Sequence, residues 1–128
     1  MKEHQITIYE AFDGKEFLDY ETCWSYEELA RILANAESDN ETIKFYNGHN
    51  ELITYSNSWG SVIGYGFVVG VNKVVIQNEE AFKTFKRILN GLKWNITCLY
   101  TIDSPGTWIW NNLKPDRIMD GAFKKVED

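Results

Sequence analysis

The chain has 128 residues and a formal net charge of −6, room for one domain. Apolar residues make up 44% and aromatics 15%, enough to fill a core without a metal or disulfide staple. No run of about 18 apolar residues exists, which excludes a membrane-spanning helix, and the opening MKEHQITIYEAFDG lacks the apolar run of a signal peptide. The expected compartment is therefore the cytoplasm, where Cys23 and Cys98, outside any CxxC pair, are expected as free buried thiols.

The elements follow in chain order. Ile6–Phe12 reads as a strand, Asp13-Gly14 as a tight turn, and Lys15–Leu18 as the returning strand. Ser25-Tyr26-Glu27-Glu28 has the form of a capping box, with Trp24 and Leu29 at the staple positions. Leu29, Ile32, Leu33 and Ala36 then recur at helical spacing, which predicts a helix over 26–36. Thr42–Tyr46 and Glu51–Tyr55 read as a hairpin around Asn47-Gly48-His49-Asn50.

The stretch from Ser56 to Gly66 is too rich in glycine for a strand interior and reads as a loop or irregular edge. Phe67–Ile76 reads either as one long bulged strand or as a hairpin turning near Asn72. Asn78, followed by Glu79 and Glu80, starts a second helix with an apolar stripe of Phe82, Phe85, Ile88, Leu89 and Leu92. Residues 95–100 read as a further strand, Asp103–Gly106 as a turn and Thr107–Trp110 as a late strand; the tail from Leu113 has little pattern. The fold class is α+β: over 1–128, one domain with a mainly antiparallel sheet and two helices packed on it.

Catalytic and cofactor signatures are missing. There is no P-loop, and Gly60, Gly64, Gly66 and Gly70 do not lead into a helix as a nucleotide fingerprint requires. His4, His49, Cys23 and Cys98 lack the paired spacing of a zinc site. No cofactor, metal or enzymatic activity is expected.

Charge is the informative feature. Residues 1–44 hold eleven acids against four bases, net −7, and residues 45–128 eight acids against nine bases, net +1. An acidic field disfavours direct contact with nucleic-acid phosphate and favours a basic surface on another protein. The partner-binding candidates are Glu10, Glu16, Asp19, Glu21, Glu27 and Asp39, with Trp59 and Tyr65 as aromatic anchors. The competing candidate is the basic run Lys83, Lys86, Arg87 and Lys93, which with exposed aromatics would suit single-stranded nucleic acid.

Asp13-Gly14-Lys15-Glu16-Phe17, then Cys23, then Tyr26-Glu27, resemble the DGxEF…C…YE opening of small phage and prophage accessory proteins of Gram-positive bacteria. Ile43–Gly48, Val75–Phe82 and Pro105–Trp110 are similar to that group's later segments. The resemblance carries no general activity. It implies the company of anti-defence proteins, anti-CRISPR proteins among them, and so a non-catalytic inhibitor of a host-defence protein, such as a CRISPR effector, acting in the bacterial cytoplasm.

Overall fold

The computed structural model describes residues 1–57, 71–92, 97–111 and 122–126. The N-terminal segment forms a short hairpin, β1 (Tyr9–Glu10) with β2 (Glu16–Phe17), closed at the expected Asp13-Gly14 turn. Gly14 has φ +89°, a conformation that side chains rarely adopt, so glycine is needed there.

Helix α1 runs Tyr20–Ala34 and begins earlier than the capping-box reading expects. Its N-cap is Asp19, whose carboxylate accepts from the Glu21 N–H at 3.2 Å and the Thr22 hydroxyl at 3.1 Å. The Ser25/Glu28 box does not form. Two cap-like residues lie within one short stretch, and packing decides between them. Starting at Tyr20 lets the helix bury Cys23 and Tyr26 as well as Leu29 and Leu33. Ser25 is then fully buried inside the helix, its hydroxyl directed at the Arg87 carbonyl at 3.4 Å, while Glu28 pairs with Arg31.

Strand β3 (Ile43–Tyr46) forms as expected, but the returning strand over 51–55 does not. Tyr46 keeps an isolated bridge to Leu52, and the Ile53 N–H reaches the Phe45 carbonyl at 2.8 Å. Asn57 then takes the Thr54 N–H on its side-chain oxygen and donates to the Leu52 carbonyl, so the chain curls away from the sheet.

The main sheet has the order β3-β4-β5-β6, antiparallel throughout, with β4 at Lys73–Ile76, β5 at Gly106–Asn111 and β6 at Ala122–Lys125. Helix α2 (Glu79–Leu92) starts as expected, with Asn78 Oδ1 accepting from the Ala81 N–H at 2.8 Å. Its last turn carries no base; the cations sit in mid-helix. The strand expected at 95–100 is, from Thr97, a 3-10 helix (Thr97–Thr101). Its Tyr100 hydroxyl donates to the Leu89 carbonyl near the α2 C-terminus at 2.9 Å, answering one of the acceptors a helix end leaves open.

Both helices pack against each other and on one face of the sheet. Ile43, Phe45, Val74 and Ile76 meet Leu29, Ile32, Phe85 and Ile88 in one buried cluster. Ala11, Cys23 and Tyr26 form a second, smaller cluster beneath the hairpin. Among the described residues, no helix is long and apolar enough to cross a membrane.

Candidate protein-binding surface

The hairpin has two faces because strand side chains alternate. Tyr9 and Phe17, directly opposite each other, turn inward onto the Cys23 and Tyr26 face of α1. Glu10 and Glu16, the neighbouring pair in register, are both exposed. Like charges directly opposite one another on a ladder repel, and among the described residues neither carboxylate has an ion pair.

The turn is braced from below. The Tyr26 hydroxyl donates to Asp13, and this bond is the main reason the Asp13 carboxyl is held below its ordinary value. The Lys15 ammonium lies over the Phe17 and Tyr26 rings at 5.7 and 5.2 Å. Glu27 accepts the Phe12 N–H at 3.2 Å, tying the turn to α1.

Around this acidic ridge, apolar side chains are partly exposed: Phe12, which also packs against the Tyr26 and Tyr55 rings, is 54% exposed, Leu18 74% and Tyr20, edge-on to Tyr9, 53%. Beside Phe12 lies an open groove of about 420 Å³, walled by Phe12 and Tyr55, floored by Ala30 and Ala34, and edged by Glu27 and Arg31. Arg31 is held there by Glu28 at 2.7 Å and by the buried Glu41 at 3.1 Å.

The candidate acids therefore separate. Glu10 and Glu16 share the exposed hairpin face, and Glu27 borders the groove. Asp19 is the helix cap, and Glu21 makes a two-pronged pair with Arg87 at 2.8 and 2.9 Å. That pair holds the Glu21 carboxyl below its ordinary value. Asp39 is exposed beyond the far end of α1, about 20 Å along the helix from the hairpin. Trp59 and Tyr65 lie outside the described residues. Phe12, Leu18, Tyr20 and Tyr55 are surface features that sequence reasoning missed. The sequence pattern places Phe12 and Leu18 in strands, whereas the strands themselves span only Tyr9–Glu10 and Glu16–Phe17.

The basic run is largely engaged. The Arg87 guanidinium, besides its pair with Glu21, stacks 3.7 Å from the Trp24 ring centre. The Lys86 ammonium reaches the Ile102 carbonyl at 3.3 Å and lies over Tyr100. Lys83 is exposed, and Lys93 lies outside the described residues. Burial, then the charges of Glu27 and Asp13, push the Cys23 thiol up, away from the reactive thiolate; the side chain of Cys98 is not among those described. Among the described residues, no group of three or more His, Cys, Asp or Glu could hold a metal ion.

No protein-family model matches the chain, and comparison with curated proteins and with solved structures found no match.

Proposed function

We propose that this chain is a phage-encoded, non-catalytic inhibitor that binds a host-defence protein, a CRISPR effector foremost, through its acidic hairpin. The observation that carries this reading is the Glu10–Glu16 pair, two carboxylates held directly opposite each other in solvent at some cost to the hairpin. Exposed Phe12, Leu18 and Tyr20 stand beside them. Such a surface fits a basic nucleic-acid channel of another protein: charge steers the encounter and apolar anchors supply most of the affinity. The groove bordered by Phe12, Tyr55 and Glu27 adds apolar surface beside the acids.

Single-stranded nucleic acid is the weaker ligand class. Glu21 neutralises Arg87 in the middle of the basic run, and the net charge of −6 opposes phosphate at longer range.

The test is phage plating on a CRISPR-protected host that expresses the chain. The parent chain should restore plaques, and E10K/E16K, folded by circular dichroism, should lose about tenfold or more of that effect. No rise in plating with the parent, or full activity in the double variant, overturns the reading. Tight, salt-sensitive binding of a labelled single strand by the parent would support the nucleic-acid alternative.

A further inference from the structure

The sheet face opposite the helices has a composition unlike the rest of this acidic chain. Strand alternation and register place two cross-strand rows on it. One row is Tyr46, Lys73, Ile109 and Lys124. The other is Lys44, Val75, Thr107 and Val126, the last placed by its N–H bond to the Thr107 carbonyl. These eight positions hold three lysines and no carboxylate, in a chain of net charge −6.

The lysines are not equivalent. Lys44 donates to the Ala36 and Ser38 carbonyls at 2.7 and 3.0 Å and is anchored at one edge. Lys73 lies over the Tyr46 ring at 4.2 Å. Lys124 is exposed on the opposite edge strand. Lys73 and Lys124 are two strands apart, about 10 Å, with Ile109 between them at 39% exposure and Val126 nearby at 41%. The face is thus an apolar centre with cationic flanks. With one face of the Tyr46 ring covered by Lys73, it suits an acidic protein surface better than stacked bases.

The acidic hairpin has the matching chemistry: Glu10 and Glu16 beside exposed Phe12, Leu18 and Tyr20. It rests on α1, and α1 packs on the other face of the sheet. Hairpin and open face therefore lie on different sides of the molecule, and the hairpin meets this face only on another copy. We infer that the open sheet face around Lys73, Ile109 and Lys124 binds the acidic hairpin of a second copy of this chain, head to tail. A contact of this kind leaves one hairpin and one sheet face unused at the two ends, so assembly continues with concentration until the ends meet in a ring. The inference rests on the hairpin surface of the proposed function, and it adds a consequence: self-association hides the surface that would meet the defence protein.

Sedimentation velocity tests it. At about 20 mM salt the average mass of the parent should rise with concentration, and at about 0.5 M salt it should fall to that of the monomer. K73Q/K124Q alone and E10Q/E16Q alone should each remain monomeric. Their equimolar mixture should form a 1:1 complex, since one variant retains the hairpin and the other the sheet face. A monomeric parent at all concentrations, variants that associate like the parent, or folded variants that do not pair when mixed would each overturn the inference. So would a monomeric parent that binds a labelled oligouridine and loses it in K73Q/K124Q, which would assign the face to nucleic acid. Plating separates this inference from the functional reading. K73Q/K124Q should inhibit at least as well as the parent, whereas E10Q/E16Q tests the hairpin itself.

Discussion

Ser25 of α1 and Gly91 of α2 touch where the two helices cross. A Cβ placed on Gly91 would lie 2.9 Å from the Ser25 Cβ and 2.6 Å from the Glu21 carbonyl oxygen. The Gly91 carbonyl also accepts from the Thr22 hydroxyl at 2.8 Å. Two small residues thus set the approach of the helices, and through it the position of the hairpin carried by α1.

Gly91→Ala should therefore destabilise the fold. Alanine gains about 1 kcal/mol of helix propensity over glycine, but overpacking a closed contact costs about 1–3 kcal/mol and displaces backbone here. Thermal melting should show a net loss, and a midpoint equal to or above the parent's would mean that the helices cross elsewhere.

Asp19→Ala and Ser25→Ala separate the two candidate helix starts. Loss of the Asp19 cap should cost about 1 kcal/mol, and peptide-bond circular dichroism should show a frayed first turn. Ser25→Ala removes only a long hydrogen bond to the Arg87 carbonyl and should cost no more than about 1 kcal/mol, with helix content unchanged. The reverse pattern would restore the capping box.

That contrast shows what could be read in the sequence. The Asp13-Gly14 turn, β3, the Asn78 cap and β5 are local patterns, and each forms where its residues place it. Helix α1 starts earlier than expected because two local signals compete, and burial of Cys23 and Tyr26, a tertiary effect, chooses Asp19. Strand β6 has only Ala-Phe-Lys-Lys to announce it and owes its existence to pairing with β5. The turn at Thr97–Thr101 is likewise fixed by distant contacts: Leu99 is fully buried and Tyr100 bonds to α2. At the candidate site, the acids were visible as composition, but composition cannot separate Glu10 and Glu16, which face solvent, from Glu21, which Arg87 occupies.

Acid should weaken the fold, with a definite sign. The carboxyls of Asp13 and Glu21 are both depressed in the folded chain, by hydrogen bonds from Tyr26 and Arg87 respectively. A depressed folded pKa contributes stability that is complete above the unfolded value, 3.8 for Asp13 and 4.5 for Glu21, and is lost as pH falls through the folded value. Tyr26→Phe removes the main cause for Asp13. Urea midpoints of parent and variant should differ at pH 7 and draw together as pH falls below 3.8; a gap that stays constant would show that Asp13 is not the linked group.

Glu16→Lys should pull stability and function in opposite directions. Glu10 and Glu16 are directly opposed on a two-residue ladder with no neutralising partner among the described residues. Replacing one by lysine turns a repulsive pair into an attractive one, a change of about 0.2–1 kcal/mol in favour of the folded hairpin. The substitution is confined to the solvent face, so the Tyr9–Phe17 side and its packing on Tyr26 are untouched. If the pair serves only solubility, the variant should melt slightly higher and keep full activity in the plating assay. If it is the contact surface, the same variant should melt slightly higher and inhibit several-fold less, with the loss larger at low salt, where charge steering is strongest. Glu10→Lys, which makes the same attractive pair from the opposite strand, serves as the second measurement: greater stability with weaker inhibition supports the hairpin surface, and full inhibition removes it.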